Sequence, residues 1–317
     1  MPSAPSASGL RRRPRWMRHG VVLRWRAARL DPAVRGLLWA VLAGLMFTSL
    51  NATMRGLAQQ IEPFQAQFLR YLMGVVVMAP LVLRSRLASL RPHSVRGQFT
   101  RGLVHTTGLS LWFLSIPHIT LADITAIGFT GPIFIMLGAA LFLGEPMRAA
   151  RWAAALVGLL GVLLVVGPQL TGQGGIWLLV LLSSSPLFAA SFLITKAQTR
   201  YERPTVIVAW QSITVAVLSL PMALLEWRWP SLGQWLLFAF GGVLGSTGHY
   251  CLARAFAATD ISATQSVKFL ELVWAALLGW AVFGTIPSRW TVVGGAVICA
   301  STVWIARRET RGTGGRR

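Results

Sequence analysis

Hydrophobic stretches of about bilayer length recur along this chain and are separated by short polar connections. A helix needs about 20 predominantly apolar residues to cross the hydrocarbon core of a bilayer. The connections leave no room for a soluble domain. We therefore predict an all-α integral membrane protein with ten transmembrane helices at 36–54, 64–83, 100–117, 122–143, 149–167, 175–195, 205–225, 232–253, 260–283 and 289–306.

Composition supports a membrane protein and argues against other classes. Apolar residues make up 54% of the chain and charged residues 12%, whereas a soluble domain carries about 25% charge. The formal net charge of +21 is compatible with nucleic-acid binding. The basic residues cluster between apolar segments, however, so we expect no nucleic-acid partner. Cys251 and Cys299 lie far apart in apolar segments, so neither a disulfide framework nor a metal site is predicted, and we expect no cofactor.

The distribution of Lys and Arg predicts the orientation. Of the 30 Lys and Arg residues, 25 fall on one side of the membrane, including Arg101 and Arg151, and only Arg55, Arg228 and Arg289 fall on the other, while Arg70 and Lys268 lie within segments. Cytoplasmic connections carry the excess of basic residues, so we expect both termini in the cytoplasm and an even number of spans. An Arg-rich composition fits a multi-pass protein of the bacterial inner membrane. The basic tail at 1–34 lacks a long apolar run with a cleavage site, so a cleaved signal peptide is not predicted.

The chain also repeats internally. LADITAIGFTGPIFIMLGAALFLGE (121–145) aligns without a gap with ISATQSVKFLELVWAALLGWAVFGT (261–285). Two five-helix halves would insert with opposite orientation because five is odd, and such inverted repeats are common in secondary transporters. The alternative is a duplicated scaffold that transports nothing. We divide the chain into a cytoplasmic tail at 1–34, repeats at 35–168 and 174–307, and a second basic cytoplasmic tail at 308–317.

Two runs resemble a known family. FTGPIFIMLGAALFLGEPMRAARWAAALVGLLGVLLVV is similar to the end of an EamA-type repeat of the drug/metabolite transporter superfamily, and the run from Gly241 to Glu309 is similar to the end of a second one. The resemblance implies ten helices, cytoplasmic termini and alternating-access movement of small metabolites such as amino acids, nucleobase-like compounds or vitamins. An apolar-Gly-Glu turn, here Leu143-Gly144-Glu145, is frequent in that family. The matching acidic position in the second half is Thr285, which is a departure.

The segment 260–284 holds most of the polar residues that fall inside apolar stretches. Ser262, Gln265, Lys268 and Glu271 recur at steps of three and so share one face of a helix. Charges at membrane depth are costly, so we expect Lys268 and Glu271 to face protein or a wet cavity and to pair. This stripe is a candidate solute site, and a structural ion pair is the alternative.

Other polar residues extend the candidate site. Arg70 either binds a carboxylate or phosphate through two parallel hydrogen bonds or reaches to the interface. His105 either carries a proton or packs, and Trp112 either stacks on a planar solute or packs. Gln211 puts an amide inside the seventh helix. The predicted substrate-binding residues are Arg70, His105, Trp112, Gln211, Gln265, Lys268 and Glu271.

These observations predict a secondary transporter that moves a small metabolite, such as an amino acid or a related zwitterion or anion, across the bacterial inner membrane. The alternatives are a flippase for lipid-linked solutes and a membrane assembly subunit that does not transport. An enzyme is not expected, since the sequence contains no HExxH, GxSxG or paired-Asp motif, and no P-loop indicates an ATP-driven pump. Its partners are the solute and the lipid bilayer; proton coupling and a homodimer are left open.

Overall fold

The computed structural model describes residues 31–58, 60–84, 90–115, 118, 124, 127–146, 148–167, 170, 175–284, 286 and 288–314. Within these ranges the chain forms α-helices and no strand. The helices are α1 (Pro32–Ala58), α2 (Pro63–Arg84), α3 (Val95–Ser115), α4 (Gly131–Leu143), α5 (Ala149–Val166), α6 (Ile176–Gln198), α7 (Pro204–Ala223), α8 (Leu232–Ala258), α9 (Ile261–Lys268), α10 (Leu270–Phe283) and α11 (Arg289–Gly314). The prediction of an all-helical protein is confirmed.

Seven spans in the described chain are long and apolar enough to cross a membrane. They lie in α1, α5, α6, α7, α8, the continuous stretch of α9 with α10, and α11. Helices α2 and α3 have 22 and 21 residues, which is about 33 and 32 Å at 1.5 Å per residue. Both lengths are sufficient to cross the hydrocarbon core of a bilayer. Of the segment predicted at 122–143, the described helix is the 13-residue α4.

The closest helix packing joins the two halves of the chain. Helix α1 packs along α8, α2 along α7, α3 along α6, and α5 along α11. Each pair takes one helix from the first half and one from the second. The largest buried cluster likewise combines Leu37 of α1 and Ile135 of α4 with Leu193 of α6 and Phe256 of α8. The halves therefore share one core, and their interface runs through the middle of the molecule.

Matched positions of the sequence repeat have matched conformations. Gly144 and Gly284 follow α4 and α10 and have φ values of 66° and 65°. Glycine adopts this left-handed conformation at a helix end without the steric penalty of a Cβ. The matched pair Phe129 and Phe269 lies where each repeat interrupts its helix, and their rings stack with centroids 5.7 Å apart. The repeat thus brings two equivalent aromatic side chains together between the halves.

The connection between α4 and α5 binds the start of α9. The carboxylate of Glu145 accepts hydrogen bonds from the backbone N–H groups of Ile261 (2.8 Å) and Ser262 (3.0 Å) and from the Ser262 hydroxyl. A carboxylate at a helix N-terminus satisfies donors that have no partner inside the helix. Arg151 donates to the Ser262 hydroxyl (2.7 Å) and to Asp260 (2.9 Å). The Gly-Glu turn therefore caps a helix of the other half; Thr285 lies outside the described residues.

Two arginines lie elsewhere than expected. We counted Arg101 and Arg151 with the basic residues of the cytoplasmic side, near the starts of two predicted spans, but their side chains are 1% and 2% exposed. Each points into the bundle because polar groups of the opposite half accept its hydrogen bonds. Of the basic tail predicted at 1–34, residues 1–30 lie outside the described residues, and α1 begins at Pro32.

Replacing Glu145 by Ala should lower the thermal unfolding midpoint. The substitution leaves two N–H groups at the start of α9 without a partner, at a cost of about 1–3 kcal/mol. Since each kcal/mol lowers the midpoint of a domain of about 150–250 residues by ~2–4 °C, the expected fall is ~2–12 °C. The measurement is thermal unfolding of the purified protein in detergent. Glu226→Ala is the control, because Glu226 is exposed and lies between α7 and α8. Equal midpoints for the two variants would contradict the capping role.

Candidate functional site

Arg101 joins three helices in the interior. It belongs to α3, and its Nη1 donates to the Thr195 hydroxyl of α6 (3.1 Å) and to Gln211 Oε1 of α7 (2.8 Å). Its Nη2 donates to the carbonyl of Ile207 at 2.6 Å. All three acceptors are uncharged, and no carboxylate of the described residues forms an ion pair with Arg101.

His105 lies one turn further along α3 and contacts polar groups of three other helices. Its Nε2 is 3.0 Å from the Tyr71 hydroxyl of α2, and its Nδ1 is 3.3 Å from the Ser191 hydroxyl of α6. The ring of His249 in α8 lies 5.9 Å away between centroids. Gln211 connects the two features, since its Nε2 lies 3.4 Å from His249 Nε2. We call Tyr71, Arg101, His105, Gln211 and His249 the central polar cluster.

Arg70 lies beside the central polar cluster. Its guanidinium carbon is 4.4 Å from the centre of the Tyr71 ring, which is a cation–π contact. A Cβ placed on Gly245 of α8 would lie 3.1 Å from Arg70 Nη2, so the absence of a side chain there lets α8 approach the guanidinium. The cluster and Arg70 together contain two arginines and two histidines.

Phenylalanine rings surround the two histidines. Phe188 and Phe192 lie 5.5 and 6.4 Å from the His105 ring, and Phe47 lies 4.9 Å from the His249 ring. Lys268 Nζ lies 5.9 Å from the centre of the Phe192 ring. Phe192 is therefore shared between His105 and the polar end of α9. The arrangement offers flat apolar surfaces with hydrogen-bonding groups beside them.

Lys268 and Glu271 do not form the expected ion pair. Among the described residues, no oxygen of Glu271 lies within 4 Å of Lys268 Nζ, although the two charges still act on each other. Lys268 ends α9 and approaches Gly131 of α4, with its Nζ 3.7 Å from where a Cβ would lie. Glu271 instead packs on Gly44 of α1, where its Cγ lies 3.3 Å from the position that a Cβ on Gly44 would take. The helix interruption at Phe269 separates the two side chains, which contact different helices.

The other residues of the predicted stripe have separate partners. Ser262 binds Glu145 and Arg151. Gln265 is buried and donates to the Ile261 carbonyl at 2.9 Å, within its own helix, while its Oε1 has no partner. Trp112 packs edge-on against Phe113, and no hydrogen bond or ring contact in the described structure joins it to the central polar cluster. The solute-binding roles of Gln265 and Trp112 stay predictions.

Of the predicted residues, the structure brings Arg70, His105 and Gln211 together. The residues predicted from the sequence include neither Arg101 nor His249. A signal for Arg101 was present, because it lies four residues before His105 inside the predicted span 100–117 and so shares its helix face. His249 comes directly after the glycines of α8 in the sequence, and its neighbours become apparent only from the packing of that helix.

The model of the EamA-like transporter family matches this chain twice, at residues 34–167 and 175–307. The chain belongs to the EamA-like transporter family. Its relatives within the drug/metabolite transporter superfamily are named as transporters and not as enzymes. The family shows that this is a multi-pass membrane protein that handles small molecules.

Two curated relatives of this EamA protein match over nearly their full length. The "Riboflavin transporter" of Rhizobium johnstonii is 34% identical over 88% of this chain and 93% of that relative. The "S-adenosylmethionine uptake transporter" of Rickettsia prowazekii is 26% identical over 89% of this chain and 96% of the relative. A solved structure titled "Crystal structure of protein" shares the fold with a TM-score of 0.76 at 19% identity, over 86% of this chain and 98% of the other.

Replacing Arg101 by Lys should destabilise this EamA protein even though the charge is kept. A lysine cannot reproduce the planar fork that reaches Thr195, Gln211 and Ile207 together. Each lost hydrogen bond costs about 0.5–1.5 kcal/mol, so the unfolding midpoint in detergent should fall. Arg96→Lys is the control, because Arg96 is an exposed residue of the same helix. The interpretation is wrong if both variants unfold at the wild-type temperature.

Proposed function

We propose that this protein is a secondary transporter of the bacterial inner membrane that carries a small planar metabolite between its two halves by alternating access. The observation that carries the proposal is the position of the central polar cluster, which lies at the interface of the halves and is lined by phenylalanine rings. Inverted repeats of this kind hold their solutes near the midplane, between the repeats. We further propose ten spans with both termini in the cytoplasm, from the distribution of basic residues.

Polar contacts between described residues join the halves at each end of the interface. At the end that we assign to the cytoplasm, Glu145 and Arg151 of the first half bind Asp260 and Ser262 of the second. At the opposite end, the amide of Gln65 bonds the backbone of Arg228, and Gln234 donates to Gln60 at 3.0 Å. Rocking of the halves would break one of these sets while the other stays closed.

We propose riboflavin as the first solute to test. The closer of the two relatives described above is named a riboflavin transporter. Flat aromatic rings pack on phenylalanine in stacked or edge-on geometry, and Phe47, Phe188 and Phe192 provide such surfaces around His105 and His249. The amide and hydroxyl groups of Gln211, Tyr71 and Ser191 suit the polar edge of a flavin.

An amino acid or related zwitterion is the second candidate. Lys268 and Glu271 face the interface without pairing with each other. Both would therefore be available to a solute that carries a carboxylate and an amine. This candidate predicts that transport depends on Lys268 and Glu271 more than on the phenylalanine rings.

Counterflow in proteoliposomes tests the proposal. Labelled riboflavin, S-adenosylmethionine, amino acids and nucleosides are each offered to vesicles preloaded with the same compound, which requires no coupling gradient. We expect exchange of riboflavin, and we expect Phe192→Leu to slow it about fivefold to tenfold because the ring contact is lost. Phe240→Leu is the matched control, since Phe240 is an exposed residue of α8.

The outcomes separate the candidates. Exchange of an amino acid that is lost in Lys268→Ala but kept in Phe192→Leu would favour the zwitterion. Equal riboflavin exchange by Phe192→Leu and Phe240→Leu would remove the phenylalanine surfaces from the site. A lack of exchange for every compound, by protein that elutes as a folded species, would contradict the transport proposal.

A further inference from the structure

Arg70 is a cation inside the bundle that lacks a hydrogen-bond acceptor among the described residues. It is the eighth residue of α2, about 10 Å from the start of the helix. Its Nε is buried and has no hydrogen-bond partner among the described residues, and its guanidinium lies over the face of the Tyr71 ring. Keeping a charge at membrane depth is costly, and such residues mark solute or ion pathways. Arg70 therefore needs an explanation beyond packing.

The surroundings of Arg70 carry positive charge and lack a described carboxylate. The charged neighbours that act on the His105 and His249 rings are Arg70 and Arg101. Arg101 is already bonded to three neutral oxygens. Glu271 is the described acid that lies inside a spanning helix, and it packs on Gly44 of α1. The other described acids lie at helix ends, in connections or beyond the apolar span of α11: Asp31, Glu62, Glu145, Glu202, Glu226, Asp260 and Glu309.

Neighbouring polar groups are also without partners. Gln67 lies one turn before Arg70, is 1% exposed, and has no hydrogen bond at either amide atom. The buried hydroxyl of Ser246 is unpaired as well, and it follows Gly245, which contacts the Arg70 guanidinium. Buried polar groups in folded proteins are nearly always hydrogen-bonded. Helices α2 and α8 thus present a guanidinium, an amide and a hydroxyl that a ligand can satisfy.

We propose that Arg70, with Gln67 and Ser246, forms a subsite for a carboxylate or a phosphate of a transported solute, so that a flavin with a 5′-phosphate would fill it and riboflavin, which has neither group, would not. A guanidinium recognises such groups through two parallel hydrogen bonds. Gly245 leaves room for the guanidinium, since an alanine Cβ would lie 3.1 Å from Nη2. The phenylalanine rings near His105 would hold the apolar part of the same solute. This inference rests on the proposed transport function, because it takes the ligand to be the solute.

Pairs of ligands that differ in one anionic group test the proposal. The pairs are riboflavin with riboflavin 5′-phosphate, adenosine with its 5′-monophosphate, and glutamine with glutamate. Binding to purified protein in a neutral detergent is measured by calorimetry. We expect the anionic member of at least one pair to bind about tenfold more tightly or better, as a charge-assisted bond provides. Arg70→Gln should remove this preference, and Arg70→Lys should restore part of it.

Two glycines of α8 provide a matched comparison. Gly245→Ala should weaken the anion preference, because its Cβ displaces the guanidinium. Gly241→Ala should retain it, because the nearest atom to its Cβ is the flexible end of Met54. If neither member of any pair is preferred, or if the preference survives in Arg70→Gln, the proposal is wrong.

A lipid headgroup is the other source of an anion. If phosphatidylglycerol binds in a way that depends on Arg70 and none of the soluble anions does, the proposed solute subsite is contradicted. The outcomes also separate this inference from the transport function. Anion preference without exchange in proteoliposomes would contradict only the transport function, whereas riboflavin exchange without anion preference would contradict only the subsite.

Discussion

A charged or polar side chain inside a bilayer must face protein or water, and this constraint determines how the helices of this chain meet. Facing lipid would be costly for the charge of Arg101, so its side chain points toward α6 and α7 and donates hydrogen bonds to three of their oxygen atoms. His105, one turn away on α3, likewise forms hydrogen bonds with the hydroxyl groups of Tyr71 and Ser191. Because these partners lie on helices of both halves, the polar interactions and the packing of the halves depend on each other.

The shared core has a consequence for movement. Helices of one half find their closest partners in the other half, so neither half buries its apolar surface alone. The two ends differ in chemistry: charged side chains join the halves where Glu145, Arg151 and Asp260 meet, whereas neutral amides join them at Gln60 and Gln234. In the alignment of the two repeats that matches Phe129 with Phe269, the residue of the second repeat that corresponds to Arg151 is Thr291, so the second repeat has no arginine at this position. An opening at the charged end therefore breaks stronger contacts than an opening at the neutral end.

Helix positions and the internal repeat could be predicted from the sequence because they depend on local periodicity and on self-similarity. The turn at Gly144 and its match at Gly284 follow from the same alignment. The partners of polar residues could not be predicted, since they depend on which helix lies opposite. Lys268 and Glu271 share a helical face in the sequence, but the interruption at Phe269 directs them to α4 and α1. Arg101 lies at the start of a predicted span and was counted with the basic residues of the cytoplasmic side, and only the packing of α3 shows that it is buried.

The central claim is that Arg70 and the central polar cluster line a path that opens to each side of the membrane in turn. The most direct test is the accessibility of a single cysteine at Ser246 in a protein whose Cys251 and Cys299 are replaced by Ala. The account predicts that an impermeant maleimide labels Ser246→Cys in right-side-out and in inverted vesicles, and that a transported solute slows the labelling. A cysteine at exposed Ser288 should label from one side only. If Ser246→Cys stays unlabelled from both sides while Ser288→Cys reacts, the region is closed protein core and the account is contradicted.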